Sequence, residues 1–160
     1  MKSIKKLIFV MAALAAVFGF VACSNDDDDG PETVAVYKAD YSDKDSTDIT
    51  ILTFYAGGSF SVYEEWDDGE DRWSGIGCTG TYTGDVTKNT SATNIVTCTI
   101  KEYRNENGNL VSTEDYIKEL LGDLATDETV KEMLKGFTRP VTIIGKILDV
   151  TGIGSFTRDE

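Results

Sequence analysis

Three cysteines, Cys23, Cys78 and Cys98, are the residues of this chain best suited to covalent chemistry. A thiol can take an acyl group, close a disulfide or ligate a metal. Histidine is absent from all 160 residues, which excludes His-dependent nucleophilic triads and His-ligated zinc. A metal site at Cys78 and Cys98 would need further ligands, and none is evident; a redox pair is the minor alternative to a structural bridge. Carboxylates are abundant, with 28 Asp and Glu against 15 Lys and Arg and a net charge of −13. Their spacing singles out no pair for acid–base work, so the expectation is a non-enzyme with no cofactor and no metal. The same balance argues against nucleic acid, whose phosphates need clustered Lys and Arg. The second candidate is aromatic. Between Tyr63 and Trp73 the chain interleaves Trp66 and Trp73 with a run of acids. Exposed rings beside carboxylates can contact a sugar, a cation or a protein. The plainer reading pairs Tyr63 with Trp73 across a hairpin and leaves the acids solvated.

Cys23 closes an N-terminal segment with its own logic. Lys2, Lys5 and Lys6 precede an unbroken apolar run from Leu7 to Ala22, of signal-peptide length and short for a bilayer span. Phe20-Val21-Ala22-Cys23, followed by Ser24-Asn25, resembles the lipobox of bacterial lipoproteins, with Phe20 where Leu or Val is usual. Phe20 is also too large for ordinary small-residue signal cleavage. The resemblance implies that residues 1–22 are a signal peptide and that Cys23 carries a diacylglycerol. It further implies an envelope protein anchored in the outer membrane by that lipid. Losing the three signal lysines leaves 12 basic and 28 acidic residues, a net of −16. Residues 23–33 read as an acidic tether, since the like charges of Asp26–Asp29 repel and extend. Ser-Asn-Asp-Asp-Asp-Asp also resembles the acidic tract that follows the lipidated cysteine in surface-exposed lipoproteins, and the two readings are compatible. A calcium loop fits poorly, because the EF-hand ligand pattern fails at both available glycines.

The elements that must position the other residues are mostly short strands over 34–160. Val34–Ala39 is a first strand, Asp40–Asp48 a polar loop, and Ile49–Tyr55 a second strand with Leu52 and Phe54 on one face. Two glycine hairpins follow. The first pairs Phe54 with Phe60 and Tyr55 with Ser59, with Gly58 left-handed. The second, with Gly69 left-handed, is expected to pair Trp66 with Glu70, Tyr63 with Trp73 and Glu64 with Arg72, and to set Phe60 opposite Ile76. Strand four runs Arg72–Thr83, broken by Gly75, Gly77 and Gly80, which mark bends where a sheet curls. A loop over Gly84–Thr93 leads to strand five, Asn94–Tyr103. Cys78 and Cys98 are expected to face one another on these strands, with Ile76 opposite Ile100 and Gly80 opposite Val96. That register predicts a Cys78–Cys98 disulfide, suited to an oxidising compartment and contributing about 3 kcal/mol.

Residues 112–136 read as helical, capped by Ser112 or Thr113, with Ile117, Leu120, Leu121 and Leu124 on one face. A second short helix restarts at Thr126. The insertion is expected to be a lid on the sheet, with a partner-binding helix as the alternative. Val141–Ile144, Ile147–Val150 and Ile153–Arg158 close the chain as strands. The fold class is therefore mainly β: an antiparallel up-and-down meander or barrel of about eight strands with a helical insertion before the last ones.

Phe54-Tyr55-Ala56-Gly57-Gly58-Ser59-Phe60, Gly80-Thr81-Tyr82 and the closing Gly152-Ile153-Gly154-Ser155-Phe156-Thr157-Arg158 resemble the recurring elements of small bacterial lipocalin-like lipoproteins. The likeness spans roughly residues 34–158. It lacks the Gly-x-Trp start of typical lipocalins, and the helical insertion departs from the simplest pattern. It implies an eight-stranded barrel, either filled by its own side chains or holding a small hydrophobic ligand. Leu52, Phe54, Phe60, Val62, Ile76, Tyr82, Val96 and Ile100 are expected to line its inside. Tyr63, Trp66 and Trp73 are the candidate rim contacts. The expected partners are the membrane, through Cys23, and such a ligand. Protein partners are not specified.

Overall fold

The computed structural model describes residues 31–159. The signal segment, Cys23 and Asp26–Asp29 lie outside them. The strands are β1 (Thr33–Asp40), β2 (Thr47–Tyr55), β3 (Ser59–Asp67), β4 (Arg72–Thr83), β5 (Asn94–Arg104), β6 (Leu110–Ser112), β7 (Thr138–Ile144), β8 (Ile147–Val150) and β9 (Gly154–Arg158). Helices α1 (Thr113–Leu121) and α2 (Asp127–Lys135) sit between β6 and β7, joined by a 3₁₀ turn at Gly122–Leu124. Each neighbouring pair is antiparallel, and β4 pairs with β5 while β9 pairs with β1, so eight strands close into a barrel. The short β6 is a spur on the end of β5, beyond the stretch that pairs with β7.

Alternation of side chains builds the core. On β1, Ala35, Tyr37 and Ala39 are buried while their neighbours are not. Tyr37, Phe54, Val62, Val96, Ile143 and Leu148 are fully buried inside the barrel. The Phe54 ring is the hub, edge-on to Tyr37 at 6.0 Å and to Tyr82 at 4.9 Å.

The first hairpin forms in the expected register, Phe54 opposite Phe60 and Tyr55 opposite Ser59. Gly57 and Gly58 take positive φ there, 91° and 83°. The second hairpin does not. Its turn is four residues, Asp68–Asp71, because the Asp68 carboxylate accepts from the Glu70 and Asp71 amides at 3.0 and 2.9 Å. Trp66 therefore meets Trp73, Tyr63 meets Ile76, Asp67 meets Arg72 and Phe60 meets Gly80. A bulge at Gly77 lies between the Val62–Cys78 and Tyr63–Ile76 pairs. It reverses the side to which the following residues point, so Ile76 is absent from the buried core it was expected to join.

The β4–β5 register is also corrected. Cys78 lies opposite Tyr103, Gly80 opposite Ile100 and Tyr82 opposite Cys98. The cause is the connecting loop. Val86 turns into the barrel end, 2% exposed, and its carbonyl accepts from the Tyr37 hydroxyl at 2.8 Å. That plug draws the start of β5 past the end of β4, leaving Asn94–Val96 to pair with β7 alone.

Closure of the wall turns on Gly80. A Cβ there would press on the Thr99 carbonyl oxygen and lie 2.7 Å from the Phe60 ring, which occupies the missing side chain's place. Backbone on one side and a packed ring on the other cannot both give way. Gly80→Ala is expected to destabilise the barrel by about 2–3 kcal/mol, read as a lowered urea midpoint. An unchanged midpoint would show that the three strands can separate at this point without cost.

Candidate functional site

Up-and-down topology sorts the loops to two ends. The near end holds the start of β1, the Gly84–Thr93 loop and the β7–β8 turn. It is closed by Val86, with Arg158 donating to the Thr87 carbonyl at 2.8 Å and the Gly145 amide to the Thr90 carbonyl at 2.8 Å. The far end holds the Asp40–Thr47 loop, the Asp67–Arg72 hairpin, the helices and the β8–β9 turn.

The interior at the far mouth leaves a cavity of about 40 Å³, lined by Leu52, Phe60, Ile100, Phe137, Val150 and Ile153, with Arg139 among them. A pocket for a small organic ligand needs roughly 300–1,000 Å³. Of the eight residues expected to line a cavity, Leu52, Phe60 and Ile100 do so. Phe54, Val62 and Val96 are buried, and Tyr82 packs half-buried against them. Ile76 does neither. These side chains fill the barrel.

The rim gathers a different group. Trp66 and Trp73 are directly opposed and half-buried, while Tyr63 sits further along beside Ile76. The pairing expected of Tyr63 with Trp73 is therefore replaced by Trp66 with Trp73. The Arg104 guanidinium lies over the Trp73 ring, 4.9 Å from its centre. Arg104 was not anticipated at this site, and Glu64, expected opposite Arg72, lies opposite Gly75 instead; two glycines in β4 signalled both. A Cβ at position 77 would be 3.0 Å from the Glu64 carboxylate, and one at 75 would be 3.2 Å from Arg104 Nη1. Each glycine is the seat of a charged group, as strand glycines often are when another chain segment approaches closely.

Behind the rim lies a layer of protonated groups. Tyr103 stacks on Tyr116 of α1 at 4.5 Å and meets Phe137 edge-on at 6.1 Å. Thr113 adds a hydrogen bond to the Ile100 carbonyl at 3.1 Å. These contacts fix α1 to the end of β5. The helical face is smaller than its spacing suggested: Ile117 is buried, but Leu120 and Leu124 are exposed. The chain breaks at Gly122, φ 53°, and carries Leu124 off the face. A cleft of about 160 Å³ between α1 and α2 is edged by Glu114, Lys118, Asp127 and Lys131. Among the described residues no group of three or more His, Cys, Asp or Glu could hold a metal.

The Cys78–Cys98 bridge expected from sequence is absent, and both thiols are free. The shifted register sets each opposite a tyrosine instead. Burial, with Glu64 nearby, pushes the Cys78 thiol well up, and burial lifts Cys98 from 9.0 to about 12. Burial raises the Tyr103 and Tyr116 hydroxyls as well. Burial thus favours the protonated form of each of these groups. No family model, curated protein or solved structure matches the chain.

Two outcomes follow from the thiols. Ellman's reagent at pH 8 should leave the buried Cys78 unmodified in the native protein and modify it in urea, while the half-buried Cys98 reacts more slowly in the native protein than in urea. Fast native reaction of Cys78 would contradict its burial. Because the folded Cys98 keeps its proton to about 12 while the unfolded one loses it near 9.0, its contribution to stability is complete below 9.0 and is lost as pH rises through that window. Urea unfolding across pH 8–11 should thus show declining stability, with a shallower slope in Cys98→Ala. Equal slopes would refute this linkage.

Proposed function

We propose that the chain is an exported lipoprotein, held in the outer membrane through a lipid on Cys23. It acts as a binding module whose contact surface is the far rim of the barrel rather than its interior. The observation that carries the second half is the volume. The space inside, about 40 Å³, falls well below what a small hydrophobic ligand occupies. The barrel wall then serves as a scaffold. The rim it presents carries an opposed Trp66–Trp73 pair, Arg104 stacked on Trp73, and the carboxylates of the Asp67–Arg72 hairpin. Planar rings and fixed charges of this kind suit a partner offering cations or hydroxyls to aromatic faces.

Support for the first half is the sequence itself: a basic start, an apolar run and Phe20-Val21-Ala22-Cys23. Mass spectrometry of the mature N-terminus should find a diacylated Cys23, and an unmodified peptide running through Cys23 would overturn that part. For the second part, titration with a fluorescent long-chain fatty acid should show no saturable binding, and native mass spectra should show the bare mass. A stoichiometric ligand lost on Leu52→Trp would instead place binding inside the barrel. Benzoylphenylalanine at exposed Ser74 on the rim should give a discrete cross-linked product on intact cells, whereas the same probe at Thr157 on the near wall should not. Identical products from both positions would refute rim contact.

A further inference from the structure

The near end of the barrel carries a feature that the rim does not explain. Ile95, Ile144 and Ile147 are 62%, 47% and 43% exposed. They are not scattered. Ile144 pairs directly with Ile147 across the β7–β8 turn. Ile95 pairs with Thr142, two residues before Ile144 on the same outward face of β7. Cross-strand and diagonal neighbours of this kind lie within reach of each other. The three isoleucines therefore form one apolar surface at the tip of a hairpin. The tip is braced, because the Gly145 amide is hydrogen-bonded to the Thr90 carbonyl.

Charge divides along the same axis. At the near end Glu32, Asp85, Asp149 and Asp159 stand against Lys88, Lys146 and Arg158, a net of −1 among the described residues. Among the described residues the acidic surplus lies at the far end, in the Asp40–Thr47 loop, the Asp67–Arg72 hairpin and the helices, and the tether adds Asp26–Asp29. The exposed Leu120 and Leu124 of that end sit beside Glu119 and Asp123, carboxylates that an anionic lipid surface repels. Finally, β1 begins at the near end, and the ten residues from Cys23 to Thr33 span at most about 35 Å.

We infer that the Ile95–Ile144–Ile147 face docks on the lipid bilayer beside the anchor, so that the barrel stands on its near end with the acidic rim turned away from the membrane. The inference rests on the lipoprotein reading for its anchor. Position, polarity and charge agree on this occupant. The apolar face is at the end to which the tether leads, that end carries a net of −1 among the described residues with Asp149 at the border of the face, and the opposite end is polyanionic. Isoleucines flanking a turn enter the boundary between head groups and acyl chains, and the lipid on Cys23 holds them beside that boundary.

The test uses the natural tryptophans as internal controls, since Trp66 and Trp73 are at the far end. Acylated full-length protein is reconstituted into vesicles of brominated phosphatidylcholine, whose bromines quench nearby indoles. The wild-type emission and that of Leu124→Trp should be unquenched. Ile144→Trp should add a quenched component, and the further changes Ile95→Ser and Ile147→Ser should remove it. An Ile144→Trp signal left unquenched, on protein that floats with the vesicles, overturns the inference. A second arm separates it from the lipoprotein reading. Unacylated chain from residue 23 onward, carrying Cys98→Ala, is joined through its Cys23 thiol to a maleimide lipid, with Cys78 shielded by burial. Quenching there, with no acyl group on the natural protein, retains the docking face and removes the natural anchor. No quenching there overturns the docking face whatever the natural protein carries.

Discussion

The barrel depends on one missing side chain. Phe60 on β3 fills the hollow that Gly80 leaves on β4, against the Thr99 carbonyl of β5. Three adjacent strands share that contact, and any larger residue would hold them apart. A sheet of eight strands curls into a closed barrel only if it bends sharply at a few places. Here the bends are local. Gly80 lets β4 approach β5, a bulge at Gly77 turns β4 against β3, and a second irregularity lies opposite, between Thr79 and Gly80 in the pairing with β5. The bulges also choose which side chains face inward. Cys78 and Tyr103 point into the core because a bulge precedes each of them, and Ile76 leaves it for the same reason.

The two ends are finished by different chemistry. At the near end a loop folds inward, and an aliphatic residue and a tyrosine hydroxyl seal the opening. At the far end an aromatic layer, Tyr103 against Tyr116 and Phe137, carries the helices, and the charged rim stands above it. Burial keeps the thiols and phenols between them protonated. With the interior filled and neutral, the barrel presents two chemically contrasting end surfaces held a fixed distance apart.

Much of this was legible in the residues. Strand order, the helical insertion and the Phe54–Phe60 hairpin follow from alternation and from glycines at a turn. Strand four was read at its observed bounds. What failed was register, at two places. The Asp67–Arg72 turn is set by carboxylate-to-amide hydrogen bonds that a count of turn residues does not weigh. The Gly84–Thr93 loop looked like a polar connection, yet Val86 within it is a plug. Both errors propagated. The first misplaced Tyr63 and Ile76, and the second brought Cys78 and Cys98 together on paper. β6 was missed outright, although Asn105-Glu106-Asn107-Gly108-Asn109 carries an Asn-Gly turn of the kind that joins two strands. Arg104 was missed because the glycine that seats it was read for curvature alone.

The seam between β1 and β9 has a consequence in time. Tyr37 pairs with Arg158, so the first described strand finds its partner in the last. Contacts this distant in sequence form late, because the intervening chain must already be gathered before they reward its lost freedom. Until residues 154–158 arrive, β1 has one open edge and the wall is an incomplete sheet. A nascent chain that lacks β9 therefore cannot close the ring, whatever the rest of the wall has already paired.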